Sequence, residues 1–329
     1  MSLIPRVYNS TDPGAPQLTG MVGSLTAVLD AVLVDGYGVG ADMKAPAGWT
    51  REFSATNVRV YRGNASFGSG YFLRIDDSAA IGNARHAWAC GYESMSTVDA
   101  GINPVPLKAD RANGVLVPKS LTTDSAVRRW RVVATELFFY LFIDTSSRGV
   151  FFPWFAGDAN SYKPGDLHCF VMGDTTATSF VGGNSFPNGL FRSINSYSGS
   201  AVESNNSLFV ARSHTGAVGA IRGTHFSLVT GLVFGGYNGG GYPSAVNGGL
   251  LHGPMGFITS AYVPRGELPG AIGALQSLPL ADGIALEGVA GFEDELLLPI
   301  QFGLNLATNP TDANYRGCVL LRLNTEWHR

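Results

Sequence analysis

Apolar residues recur clearly at helical spacing in only one stretch. Leu25, Val28, Leu29, Val32 and Leu33 share a face of a 3.6-residue period behind Ser24, a candidate N-cap, so a short helix is predicted over about residues 25–34 with Gly36 ending it. Beyond that point the period falls to two. Asn57–Arg62 and Tyr71–Asp76 read as a hairpin around the Gly63–Gly70 loop, with Tyr71, Leu73 and Ile75 on one face. His86, Trp88, Cys90 and Tyr92 alternate with Arg85, Ala87, Ala89 and Gly91, which gives one bulky and one small face. Trp130–Val133 and Leu137–Ile143 form a second hairpin. The latter run is nearly all apolar or aromatic, as expected for a strand buried on both faces at the centre of the core. Lys163, Pro164, Gly165 and Asp166 then signal a turn ahead of a short strand, Leu167–Met172.

From Gly173 to Ser207 the sequence turns to Ser, Asn, Gly and Thr, which marks a boundary or a long excursion. The expected organisation is therefore a β-rich unit over 1–172, containing the helix, and a Gly-rich β unit over 173–329. Strand-like runs in the second half are Leu208–Ala211, Phe226–Phe234, Gly256–Ala261 and Val319–Leu323, punctuated by glycines such as Gly235, Gly236 and Gly239. No solenoid period or heptad pattern is present. Turn spacing favours antiparallel pairing, so the expected fold is mainly β: antiparallel, sandwich-like sheets with one short N-terminal helix and long Gly/Ser-rich loops.

Composition shifts attention from chemistry to contact. Charged residues make up 14% of the 329 residues, against about 25% in an average soluble domain, while the hydrophobic fraction of 45% is ordinary. Interface cores are where charge is depleted, so this balance suggests an exterior covered by other subunits; the alternative is a monomer made polar by Ser, Thr, Asn and Gly. A net charge of −3 argues against a grip on nucleic acid. Among the basic residues Arg128, Arg129 and Arg131, strand alternation puts Arg129 and Arg131 on a solvated face. Met1–Pro16 has no signal-peptide pattern, and no apolar run reaches membrane-spanning length. Cys90, Cys169 and Cys318 have no paired or zinc spacing, which suggests buried reduced thiols and synthesis in a cytoplasm.

Candidate chemistry is sparse. Ser161, Asp166 and His168 supply the residue types of an acyl-transfer triad without a GxSxG elbow, and read better as a turn aspartate and a core histidine. Glu293, Asp294 and Glu295, and the smaller pair Asp76 and Asp77, lack calcium-loop spacing and read as solvated turns. His86, His168, His214, His225, His252 and His328 never reach metal-ligand spacing. Gly36, Gly38 and Gly40 follow the helix, the wrong order for a dinucleotide loop. The aromatics Phe138, Phe139, Tyr140, Phe142, Phe151, Phe152, Trp154 and Phe155 fit either a core or a sugar-stacking platform, with core filling the commoner use. No catalytic, cofactor-binding or metal-binding residue is expected.

Several ordered stretches carry a likeness. The opening Val7–Ala15, "GSLTAVLDAVLVDGYG" (23–38), "GWTREFSATNVRVYRG" (48–63), "YFLRIDDS" (71–78), "GYESMSTVD" (91–99), "RRWRVVATELFFYLFI" (128–143), "SYKPGD" (161–166), "RGELPGAIGALQSLP" (265–279) and "RGCVLLRLNTEW" (316–327) together resemble a family of tailed-bacteriophage virion structural proteins, often encoded among tail or head-tail genes. The resemblance touches most of the chain and is weakest over Gly173–Asn247. It implies a component of the virion, made in the host cytoplasm, whose partners are other virion proteins and copies of itself. It supplies no catalytic residues. The expected function is that of a tail-associated structural subunit (tail, baseplate or neck), assembling through charge-poor surfaces and main-chain pairing at strand edges. Alternatives are a capsid decoration protein, a tail-tip module binding a host receptor or glycan, and a virion-associated hydrolase with Glu293, Asp294 and Glu295 as acid/base candidates.

Overall fold

The computed structural model describes residues 3–145, 151–173, 208–226, 252–259, 263–274, 285–289, 292–302, 317–324 and 327. All strand pairings among them are antiparallel. The fold is mainly β, as the sequence predicts.

The smaller sheet is a meander of β2 (Thr50–Ala55), β3 (Val58–Arg62), β4 (Phe72–Asp76) and β5 (His86–Met95), with β6 (Gly101–Val105) and β7 (Val115–Pro118) pairing with successive parts of β5. The expected first hairpin is present, with Val58 opposite Asp76 and Arg62 opposite Phe72. The larger sheet runs β1 (Arg6–Asn9), β8 (Trp130–Ala134), β9 (Phe138–Ile143), β10 (Phe152–Asp158), β12 (Phe170–Gly173), β13 (Leu208–Arg212), β14 (Val218–Phe226), β15 (His252–Thr259), β16 (Pro264–Ala274), β18 (Gly317–Arg322) and β17 (Leu297–Phe302). Trp130 faces Ile143 in the second expected hairpin.

Part of this larger sheet closes on itself. After Ala159, β10 continues as β11 (Asn160–Ser161), whose residues pair with Glu267 and Gly266 of β16. The hydrogen-bonded path β10–β12–β13–β14–β15–β16 therefore returns to its start. The division expected at 172/173 falls inside β12, which pairs onward with β13, so the sheet runs across it. Residues 174–207, 227–251 and 260–262, which include the Ser/Asn-rich excursion and parts of two expected strands, lie outside the described residues.

Two apolar cores lie on opposite faces of the larger sheet, and β9 serves both. Phe139, Leu141 and Ile143 join the core shared with the smaller sheet and the helix; Phe138, Tyr140 and Phe142 join the second, with Phe155, Val171, Val210 and Phe257. A continuous apolar run is what a strand between two cores requires. On β5 the small face, Ala87 and Ala89, turns inward to the shared core, while Cys90 and Tyr92 pack with Val60 and Phe72 on the outer side. Small residues let the sheets approach closely. A β-carbon at Gly91 would lie 2.5 Å from the Phe170 ring, and that ring stacks on Tyr71 at 5.1 Å between centroids and 10° between planes.

The helix differs from its expectation in two ways. It is α-helical over Ser24–Leu29 and continues over Asp30–Asp35 with the wider π pitch before Gly36, at φ 77°, ends it. The N-cap is Gly23, not Ser24, whose hydroxyl instead donates to the carbonyls of Thr19 and Met21. The Leu25 N–H, which a capping side chain would otherwise serve, donates to Asp77 Oδ2 at 2.8 Å from the end of β4.

Candidate functional site

The triad residue types do come together, but in an arrangement that is structural rather than nucleophilic. Ser161 Oγ donates to Asp166 Oδ2 at 2.7 Å, and Asp166 Oδ1 accepts the backbone N–H of His168 at 2.9 Å. The imidazole stands outside this pair: it meets Tyr71 edge-on, and its Nδ1 has no hydrogen-bond partner among the described residues. Asp166 is instead paired with Arg265, whose side chain is fully buried. Arg265 also donates to Ser161 Oγ and to the Arg212 carbonyl at 3.1 Å. Burial works to raise the Asp166 carboxyl, but Ser161, the His168 amide and Arg265 together hold it below the usual carboxylate range. A hydroxyl that donates to a carboxylate already held by a guanidinium has no base to activate it.

Arg265 thus ties β11, β13 and β16 across the closed part of the sheet. A second cation, Arg212 of β13, reaches Glu93 of β5 with both carboxylate oxygens at 2.7 Å, and Glu93 also accepts from Asn103. This ion pair, in which Nη2 alone serves both oxygens, joins the two sheets on their polar flank, beside the Tyr71–Phe170 stack. Sequence spacing carries no signal for either cation, because their partners lie 119 residues away for Arg212 and 104 for the Ser161 contact of Arg265.

The acidic candidates divide. Glu293 and Asp294 are exposed, and Glu295 is bonded to Arg322, so that cluster is the surface turn expected. Asp76 and Asp77 correct their expectation: they are 6% and 0% exposed. Asp76 pairs with Arg74 at 3.1 Å and accepts from the Ser78 hydroxyl, while Asp77 meets Lys119, also fully buried. Buried carboxylates need such partners, which are local for Asp76 and 42 residues away for Asp77. Of the basic residues, Arg129 lies outermost and pairs with Asp144, and Arg131 bonds Asn9, as alternation predicts; Arg128 is buried against Ser120 and Asp124.

The aromatic residues are core. Trp154 and Phe155 have no exposed surface, and Phe138, Phe139, Tyr140, Phe142, Phe151 and Phe152 are all buried, so they offer no sugar-stacking platform. Cys90 and Cys169 are buried and unpaired, and burial raises both thiols, Cys169 to about 12. The side chain of Cys318 lies outside the described residues. Among the described residues no group of three His, Cys, Asp or Glu is placed to hold a metal, and no helix is long and apolar enough to cross a membrane. A cleft of about 410 Å³ beside β1 is lined by residues including Leu3, Ile4, Arg6, Ala47, Thr135 and Glu136. None of the acid/base candidates lines it.

Surfaces that could meet a neighbour are of two kinds, edges and loops. The edges are blunted. Ser10 N–H donates to the Trp130 carbonyl, so alternation points the main chain of Val7 and Asn9 away from β8. Asn9 is closed off by Asp12, Pro5 has no N–H to offer a neighbour, and the Leu3 carbonyl accepts from Trp327. On β17 the outward groups of Leu297 bond Leu286, and the next outward position is Pro299. β2 carries a bulge between Arg51 and Phe53. Main-chain pairing, one expected source of affinity, is thus poorly served at these three edges.

The loops present more. Met21, Val22, Val39, Met43 and Val127 are 44%, 41%, 84%, 53% and 51% exposed. Two of their three segments adjoin, since Gly20 N–H donates to the Asp124 carbonyl and Leu18 bridges to Arg128, while Lys44, beside Met43, pairs with Asp12 at 3.7 Å. Met21, Val22 and Val127 thus stand on neighbouring loops. No protein-family model matches the chain, and neither does any curated protein sequence.

Proposed function

We propose that this chain is a non-enzymatic structural subunit of a bacteriophage virion, tail-associated and held in place among copies of itself and other virion proteins. The observation that carries the reading is the ordered series of stretches from Val7 to Trp327 that resembles virion structural proteins across most of the chain. Two physical features support it. The chain is poor in charge, and apolar side chains stand exposed on its loops, those of Met21, Val22 and Val127 on neighbouring ones and those of Val39 and Met43 on a third. Patches of this kind mark protein interaction sites. With the edges of β1, β2 and β17 blunted, affinity in this reading comes from side chains on those loops rather than from added strands.

Mass spectrometry of purified particles, with heads and tails separated by osmotic shock, tests the proposal. Recovery in the tail fraction in multiples of three or six is the expected result. High-copy recovery with heads would make the chain a capsid decoration protein, and absence from both fractions would overturn the structural role.

A further inference from the structure

Lys119 follows β7 and Asp77 follows β4, and their side chains meet with no exposed surface on either. Lys119 Nζ donates to the Met21 carbonyl at 2.6 Å and to Asp77 Oδ1, and Asp77 Oδ2 accepts the Leu25 N–H at 2.8 Å. An ammonium has three N–H donors. Two are used here, and among the described residues the third has no acceptor. A buried donor left unpaired costs free energy, more so when it is charged. A secondary amide, by contrast, has one N–H and one carbonyl oxygen. The site offers Met21 as acceptor for that N–H and Leu25 as donor to that carbonyl.

We infer that Lys119 and Asp77 are joined by an intramolecular isopeptide bond, formed without an added enzyme as the chain folds. Neutral Nζ attacks Cγ of the neutral carboxylic acid and the C–N bond forms. The Cγ–Oδ1 bond breaks, and Oδ1 leaves as water with the acid's own proton and one proton from the amine. No oxidant or co-reactant is consumed. Burial favours both neutral reactants, raising the Asp77 acid against the opposing pull of Lys119 and the Leu25 and Thr26 amides, and lowering the Lys119 ammonium. The Leu25 N–H on Oδ2 is placed to stabilise negative charge that develops on that oxygen during attack. The product ties the end of β4 covalently to the end of β7 and keeps the Leu25 N–H at the start of the helix hydrogen-bonded to the amide oxygen.

The test is intact mass of the full chain under denaturing conditions, followed by tryptic mapping. The expected result is a mass short of the unmodified chain by one water, with a branched peptide in which Lys119 is joined to Asp77 and cleavage after Lys119 is blocked. In Lys119→Arg the branch and the mass deficit should both vanish. A linear peptide ending at Lys119 in the wild-type chain, or a water loss that maps to another site, overturns the inference and leaves a buried ion pair only. Because the decisive readout is the wild-type mass, a variant that fails to fold does not obscure the answer.

Discussion

Asp77 accepts the backbone N–H of Leu25 at 2.8 Å, so the first turn of the helix is served by a side chain 52 residues further along the chain. The same carboxyl meets Lys119, and neither side chain is exposed. Whether Lys119 is bonded to Asp77 or only paired with it, Asp77→Ala removes the helix cap and leaves the Lys119 ammonium buried without a counter-charge. Breaking a buried pair in this way costs about 3–5 kcal/mol. Urea unfolding should show that loss, while Asp77→Asn combined with Lys119→Met, which buries no charge, should recover part of it. Equal losses in both variants would show that burial of unpaired charge is not the source of the cost.

That relationship also shows where sequence reading stops. The helix, both early hairpins and the doubly buried β9 were legible because each is written in a local period: Leu25 to Leu33 at 3.6 residues, Tyr71, Leu73 and Ile75 at two. Local pattern says nothing about partners far away. Ser24 looks like a cap, but the cap comes from Asp77; and Asp77 looks like part of a solvated turn because its partner Lys119 lies 42 residues further along the chain. β16 carries no strand signal in the sequence, because Pro264, Gly266, Pro269, Gly270 and Gly273 break any strand-like pattern, yet it pairs with β11, β15 and β18. The triad types at Ser161, Asp166 and His168 were visible, but Arg265, which decides what they do, was not.

Close approach of the two sheets depends on Gly91. Any side chain there meets the Phe170 ring, since even a β-carbon would lie 2.5 Å away, and Phe170 is itself fixed by its stack on Tyr71. Gly91→Val should destabilise by about 1–3 kcal/mol through overpacking. Pairing it with Phe170→Leu, which trims the ring, should cost less than the sum of the two single changes. Strict additivity in the unfolding free energies would mean that the two positions do not press on each other.

The Arg212–Glu93 pair joins the sheets at their flank, partly open to solvent. Arg212 and Asn103 hold the Glu93 carboxyl below its ordinary range despite the opposing effect of burial. A double-mutant cycle with Glu93→Gln and Arg212→Gln should give a coupling of about 1 kcal/mol, the upper end for solvent-accessible pairs, because both side chains are mostly covered and Nη2 serves both carboxylate oxygens. Raising the salt concentration should shrink it. A coupling of zero at low salt would show that the contact adds nothing to the docking of the sheets.

His86 makes stability depend on acidity. It is 5% exposed, meets Trp88 edge-on at 5.7 Å, and its Nε2 accepts the Asn83 N–H at 3.4 Å, an arrangement that requires the neutral ring. Burial first, then the charges of Arg85 and Lys119, lower its pKa from 6.5 to about 4. Between those values the unfolded chain binds more protons at this position than the folded one. The contribution of His86 is therefore complete above about pH 6.5 and is lost as the pH falls towards about 4. A free Asp77 carboxyl, raised from 3.8 to about 6, acts with the opposite sign: its contribution falls as the pH rises through that window. Wild-type stability alone would mix the two effects. Comparison with His86→Leu separates them, because Asp77 is common to both proteins. The difference in urea-unfolding free energy between wild type and variant should be constant above about pH 6.5, shift steadily against the wild type down to about pH 4, and level off below. Parallel curves across that range would mean that His86 is not buried in its neutral form.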